Sequence, residues 1–176
     1  MIKLKKNDKI NPNKEVISEA VPYLVIILVV IIIRTFIATP IKVNGPSMET
    51  TLYDGNLMIL NKLGAKVNGL KRFDIVVVKT NKTYIIKRII GLPGESVAYI
   101  DGKLYINEKA IEDKYALSDM EDFEEVKLAG NEYFVMGDNR KVSQDSRAIG
   151  PVKKSQILGK TNIIIYPFNK FGIVKD

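Results

Sequence analysis

The sequence predicts a mainly β domain carried behind one membrane-spanning helix. Three observations predict it: a strongly apolar run over residues 21–38, a series of short apolar runs beyond Pro40 separated by Gly-, Asn- and Asp-containing breaks, and an Asp-Gly pair at 101–102 flanked by β-type residues. The chain has 176 residues, 46% of them hydrophobic, which suits one membrane element plus one modest domain with its own core and excludes two large domains.

The elements follow in order. Residues 1–20 form a basic N-terminal segment with Lys3, Lys5, Lys6, Lys9 and Lys14. Residues 21–38, VPYLVIILVVIIIRTFIA, are apolar apart from Arg34; as a helix they extend about 27 Å, enough to cross a bilayer. Arg34 sits near the far end, where its side chain can snorkel to the headgroups. By the positive-inside rule the lysines keep the N-terminus in the cytoplasm, so residues 39–176 are expected outside, on a single-pass protein of the cell membrane. The alternative is a cleaved secretory signal, but FIATPIK offers no A-x-A-like site, and an uncleaved anchor is the expectation.

Within 39–176 the runs LMIL (57–60), IVVVK (75–79), TYIIKRII (83–90), EYFVM (132–136) and NIIIY (162–166) read as strands. VAYIDGKLYIN reads as a hairpin turning at Asp101-Gly102. A small insertion is expected around 97–131. Its acidic part, IEDKYALSDMEDFEEVKLAGN (111–131), lacks a clean apolar period and reads as an irregular rim loop that borders the site without supplying its chemistry.

Composition narrows that chemistry. There is no cysteine and no histidine, which removes thiol catalysis, disulfides, Cys/His zinc sites and any Ser-His-Asp arrangement. The net charge of +7 is spread along the chain without a nucleic-acid-binding motif, so no nucleic-acid partner is expected. Ser47, in VNGPSMETTLYDG, is either a turn residue or a nucleophile. A nucleophilic serine would need a base other than histidine, and the candidate is a lysine. Lys87 interrupts an apolar strand: Ile85, Lys87 and Ile89 share one face, while Ile86, Arg88 and Ile90 share the other. Burial of such a lysine lowers its pKa and makes it a general base; the alternative is an edge strand with two solvated cations. GDNRKVSQDSR (137–147) gathers Asp138, Arg140, Asp145 and Arg147 around Ser143 and Ser146, and taken alone could be a solvated, salt-bridged turn.

GPSMETTL, KRIIGLPGE and GDNRKVSQDSR, in this order and behind an N-terminal span, closely resemble the boxes of the type I signal peptidases, the Gram-positive-like members in particular. The resemblance runs from about Arg34 to the end of NIIIY. It implies a signal-peptidase-like antiparallel β-sheet catalytic domain, with Ser47 as nucleophile, Lys87 as general base and Ser143 as the hydroxyl that orients the lysine amine. Arg88, Asp138, Asp145 and Arg147 match charged positions that hold the site loops together, and Arg140 falls in the same signature. Val43, Met48, Leu52, Ile85 and Ile86 match positions lining shallow apolar substrate pockets; read singly, each could be ordinary core. The implied substrates are exported preproteins with small residues at positions −1 and −3 of the cleavage site, and no cofactor or metal is implied. The backbone N–H of Ser47 would serve the oxyanion hole. Gly45 stands where some members carry a serine hydroxyl, and Thr50 stands where the family usually has proline.

Other readings fare less well. No serine is followed three residues later by lysine, and Lys154 occupies the place of the first glycine of a P-loop that GKT (159–161) would end. A repressor-cleaving Ser/Lys protease would be soluble, which the span opposes. The rival from another class is an anchored noncatalytic β domain that binds exported peptides or assists surface-protein assembly.

Overall fold

The computed structural model describes residues 12–81, 83–116 and 120–174, with side chains from residue 19 onward. It divides into two units, residues 1–37 and 38–176. The first is helical: α1 (Pro12–Ile32) continues as a π-helical turn over Ile33–Ile37. The stretch Glu19–Ile37 is long and apolar enough to cross a membrane, and its side chains, from Val21 through Ile37, are exposed. Among the described residues of that unit, nothing packs against this apolar surface. The helix begins nine residues before the expected span and runs through Pro22, the second residue of the apolar run. The basic residues Lys3, Lys5, Lys6 and Lys9 lie outside the described residues.

The second unit is mainly antiparallel β, as its alternating runs predict. Its larger sheet contains β1 (Ala38–Lys42), β2 (Leu57–Asn61), β3 (Ile75–Lys79), β4 (Tyr84–Gly91), β9 (Glu132–Met136), β10 (Val152–Lys153), β11 (Ile157–Tyr166) and β12 (Gly172–Ile173). Their order is β1-β2-β11-β3-β4-β9-β10, with β12 also paired to β11. A short helix, α2 (Lys62–Val67), follows β2 and is capped by the Asn61 side chain, which accepts from Gly64 N at 2.7 Å. The smaller sheet contains β5 (Ser96–Ile100), β6 (Lys103–Ile106), β7 (Lys109–Ile111) and β8 (Phe123–Lys127), in the order β7-β6-β5-β8. Between β5 and β6 the chain turns at Asp101 (φ 49°) and Gly102 (φ 72°), the two positive φ values that a tight hairpin needs and an Asp-Gly pair supplies.

Within the insertion, the irregular reading of 111–131 is corrected over Phe123–Lys127, which form β8, while 112–116, 120–122 and 128–131 are in neither helix nor strand. Val126 pairs with Val97 and Phe123 with Tyr99, so three steps along β8 match two along β5. This bulge turns Phe123 and Val126 toward the same core while Glu124 and Glu125 stay exposed. The apolar residues are then three apart, and the period-2 alternation that marks a strand is hidden.

Three apolar clusters hold the unit together. Ile90, Phe134 and Met136 of the larger sheet meet Val97, Tyr99 and Leu104 of the smaller one. Val76, Val78, Ile89, Val135 and Val152 form a second cluster, with Ile85 packed against it. Val43, Met48, Leu52, Met58 and Ile75 form the third, against which Ile86 packs. Neighbouring residues of β4 thus serve opposite faces of the sheet, as strand geometry requires.

Candidate active site

Ser47 opens the turn after β1, directly behind Pro46. Two backbone bonds close that turn: Glu49 N donates to Pro46 O at 3.1 Å and Leu52 N to Met48 O at 2.8 Å. Gly45 reaches φ 83°, and its N–H donates to Asp54 Oδ1 at 2.8 Å, which ties the approach to Ser47 to the far end of the same loop. The Ser47 carbonyl accepts from Asn139 N at 3.1 Å, so the loop after β9 fixes the serine from the other side.

Lys87 comes from the middle of β4, opposite Val76 of β3. Its Nζ donates to Ser47 Oγ at 2.6 Å across 40 positions of sequence. The side chain is 3% exposed. Burial lowers its pKa from 10.5 to about 8, against the pull of Asp145 and Asp138, whose charges favour the ammonium, and with a smaller push downward from Arg147. The alternative of two solvated cations on an edge strand is overturned: both cationic faces of β4 are buried, and each side chain has a partner.

Arg88, the neighbour of Lys87, is 1% exposed and forms a two-pronged pair with Asp138, Nε to Oδ1 at 2.8 Å and Nη2 to Oδ2 at 2.7 Å. Its remaining donors reach Phe73 O at 2.8 Å and Thr51 Oγ1 at 3.3 Å, and its guanidinium lies 3.6 Å over the ring of Tyr115. Thr51 Oγ1 in turn donates to Asp138 Oδ2 at 2.5 Å. The network joins the turn carrying Ser47 to the strand carrying Lys87 and to the loop after β9.

Two further arginines brace that loop. Arg147 grips Asp145 through Nε (2.9 Å) and Nη2 (2.8 Å) and also donates to Arg140 O at 2.7 Å. Arg140 donates to Gly137 O at 2.9 Å and forms a two-pronged pair with Asp113. Burial alone would raise the pKa of Asp145; hydrogen bonds from Arg147, Ser143 and Gly137 N–H outweigh it and hold the carboxyl below its ordinary value. Asp145 also caps the short helix α3 (Ser146–Ile149) by accepting from Arg147 N at 3.3 Å.

Of the residues expected at the site, Ser47, Lys87, Arg88, Asp138, Asp145 and Arg147 fall in this one constellation. Ser143 stands beside it: its Oγ accepts from Gly137 N at 3.2 Å and its hydroxyl donates to Asp145, while the hydrogen bond expected toward Lys87 is not among the contacts of the described residues. Val43, Met48, Ile85 and Ile86 line a cavity of about 100 Å³ together with Ser47 and Lys87. Leu52 does not reach its wall; it is fully buried in the cluster behind Met48.

Asp113, Tyr115, Thr51 and Gly137 were not singled out by sequence reasoning. Gly137 stands at the head of the GDNR stretch, and its role is steric. A Cβ there would collide with Ser47 O and with Ser143 Oγ, and would come within 2.7 Å of Ser143 Cβ. Asp113 and Tyr115 lie in the acidic stretch read as a rim, and nothing local marks them as partners of Arg140 and Arg88.

A buried lysine amine against a serine hydroxyl, braced by three Arg–Asp pairs, is suited to acyl transfer from an amide, with serine as nucleophile and lysine as base. The model of the family described as signal peptidase, peptidase S26, matches residues 16–166. The chain belongs to the signal peptidase family. Among its relatives are signal peptidase I of Bacillus amyloliquefaciens, 36% identical over 96% of this chain and 97% of that one, and signal peptidase I S of Bacillus subtilis strain 168, 34% identical over 94% and 97%. Signal peptidase IB of Staphylococcus aureus strain COL is 33% identical over 90% of this chain and 93% of its own length. A solved signal peptidase I from Enterococcus faecalis V583 is 34% identical, covering 52% of this chain and 95% of that one with a TM-score of 0.48.

As a member of the signal peptidase family the chain is a serine peptidase, a hydrolase, and the noncatalytic β domain is set aside with the repressor-cleaving protease. Gly137→Ala is expected to lower peptidase kcat/KM about 100-fold, since displacing a reacting group by about 1 Å costs that much. Peptide cleavage assays checked against the far-UV circular dichroism of the folded protein measure it; wild-type kinetics would show that the close approach at Gly137 does not set the position of Ser47.

Proposed function

We propose that this chain removes signal peptides from exported preproteins, with Ser47 as nucleophile and Lys87 as its general base. The observation that carries the reading is the 2.6 Å separation of Lys87 Nζ and Ser47 Oγ, at an amine whose burial brings its pKa to about 8. In its neutral form the amine accepts the Ser47 hydroxyl proton as Oγ attacks the scissile carbonyl. The ammonium then protonates the leaving amine. Water clears the acyl-enzyme with the same lysine as base. No step requires a metal or cofactor. The Ser47 N–H has no acceptor among the described residues, which leaves it free to donate to the oxyanion. Ser143 is a positioning residue acting through Asp145, whose charge favours the lysine ammonium.

The substrate binds as an added strand. Tyr84–Lys87 of β4 pair with β3 on one side, whereas β9 pairs with β4 only from Arg88 onward, so the other edge of Tyr84–Lys87 is open among the described residues. The cavity of about 100 Å³ beside that edge, walled by Val43, Met48, Ile85 and Ile86, has room for small side chains at positions −1 and −3. The Glu19–Ile37 helix spans the bilayer, with the lysine-rich N-terminus in the cytoplasm and the β domain outside.

Cleavage of a preprotein peptide by the detergent-solubilised protein is expected to rise with pH through an ionisation near 8, because only the neutral lysine accepts the proton and protonation below that pH removes the base. A rate flat from pH 6 to 10 would overturn Lys87 as base. In right-side-out vesicles, added protease should digest the β domain and spare the N-terminal lysines; the reverse pattern would invert the topology.

A further inference from the structure

Residues 112–116, which follow β7, are in neither helix nor strand, yet they supply partners to both of the buried arginines found among the described residues, Arg88 and Arg140. Ala116 N donates to Asp113 O at 3.3 Å and closes a turn in which exposure alternates. Glu112 and Lys114 are exposed; Asp113 and Tyr115 are partly buried. Asp113 is the counter-charge of Arg140: both Nη atoms donate to it, Nη2 to Oδ1 at 2.9 Å, and the Arg140 and Asp113 side chains are 0% and 5% exposed. Tyr115 sets its ring 3.6 Å from the Arg88 guanidinium and 5.1 Å from the ring of Phe73, whose carbonyl accepts from Arg88. The stretch is moored on both sides, at Ile111, which pairs with Leu104 of β6, and at Met120, buried in the cluster that contains Leu104.

The two arginines lead to the two halves of the Ser47–Lys87 pair. Arg140 Nε donates to Gly137 O; Gly137 N donates to Ser143 and Asp145, and Asn139 N, next to Arg140, donates to Ser47 O. Arg88, beside Lys87 on β4, reaches Asp138 and Thr51, and Thr51 belongs to the turn that carries Ser47. We propose that Asp113 and Tyr115 are positioning residues for the reaction: residues 112–116 form a strap that, by fixing Arg140 and Arg88, keeps Ser47 Oγ and Lys87 Nζ within reach of proton transfer. The inference rests on the Ser47–Lys87 reading above and adds to it two residues that touch neither reacting atom. An uncharged side chain at 113 leaves the Arg140 guanidinium without a counter-charge where water does not reach. The guanidinium must then shift, and the Gly137 carbonyl it grips shifts with it. At Tyr115 the contact is made by the ring face, which an aliphatic side chain does not offer to a cation.

The test is cleavage of a preprotein peptide by the full-length protein in detergent, with single-turnover rates and KM referred to the folded fraction measured by circular dichroism. Asp113→Asn is expected to lower kcat about 100-fold and Tyr115→Leu about tenfold, each with KM within about twofold of wild type, because misplacing reacting groups slows the chemistry without removing substrate contacts. Tyr115→Phe should restore most of the rate lost in Tyr115→Leu, since it returns the ring. A residue that served only the fold would lower the folded fraction and leave the rate per folded molecule unchanged. Where Asp113→Asn does not fold, the paired change Asp113→Leu with Arg140→Met removes the whole buried ion pair and should fold; its rate should stay at least about tenfold below wild type, because Gly137 O has lost its donor. A rate within about threefold of wild type in Tyr115→Leu or in the folded variant at 113, a loss confined to KM, or a Tyr115→Phe protein as slow as Tyr115→Leu would overturn the strap and leave the peptidase reading standing. Failure of the wild type to cleave the peptide would overturn the signal-peptide reading itself, and this inference with it.

Discussion

Ser47→Ala and Lys87→Met are each expected to remove most or all preprotein cleavage while the β domain stays folded. Removing the nucleophile of a serine protease costs on the order of 10⁶ in kcat, and removing a general base about 10²–10⁴. With serine and lysine acting as the proposed unit, the double variant should be no worse than Ser47→Ala alone. Lys87→Met carries a second readout that separates loss of the base from loss of structure. The Lys87 amine has a pKa near 8 in the folded protein and near 10.5 when exposed. Over that window the unfolded chain holds a proton that the folded chain has released, so stability rises with pH from about 8 to 10.5. Below 8 the folded protein bears the full cost of a buried ammonium. Lys87→Met removes that cost, and should therefore be more stable than wild type at pH 7, with the advantage fading as pH approaches 10.5. Thermal unfolding across pH, beside single-turnover cleavage, measures both. A Lys87→Met protein that still cuts within tenfold of wild type would remove Lys87 from the mechanism.

Asp138→Ala is expected to destabilise the domain by about 3–5 kcal/mol, because it leaves the Arg88 guanidinium buried without its counter-charge. Both side chains of this pair are 1% exposed, so water cannot take the place of the carboxylate without opening the core. Arg88 would keep Phe73 O and the Tyr115 ring, which are too weak together to compensate an ionic partner. The paired change Arg88→Met with Asp138→Leu should recover most of the loss, since replacing a whole buried ion pair by apolar groups is often neutral or favourable. Denaturant titration of the detergent-solubilised protein checks this. The double variant should still lose activity, because the link from Thr51 through Asp138 to β4 is what holds the Ser47 turn against Lys87. Full stability in Asp138→Ala would show that the pair is not needed to hold the charge of Arg88.

Several features are legible in the sequence alone. The apolar run of 21–38 has only one charged residue, and Asp101-Gly102 meets a backbone requirement that few other pairs satisfy, so helix and hairpin follow from chain-local chemistry. The lack of histidine and cysteine removes the Ser-His-Asp and thiol mechanisms, whatever the fold, and makes a lysine the candidate base. Strand alternation placed Lys87 and Arg88 on opposite faces, and that arrangement holds.

Alternation could not tell where each cation goes. Ser47 and Lys87 are 40 residues apart, Arg88 and Asp138 50, and Arg140 and Asp113 27; each pair forms because separate strands and loops are packed together, and no periodicity within one segment encodes that. The same holds for Gly137, whose missing side chain matters only because Ser47 and Ser143 arrive beside it. It holds for β8, whose bulge is set by its partner β5 and erases the pattern by which a strand is recognised. Residue types, the span and the turns were determined by the sequence itself, because they depend on covalent geometry and on transfer from water one segment at a time. The lowered pKa of Lys87 was decided only in the tertiary structure, because desolvation is a property of everything packed around the amine.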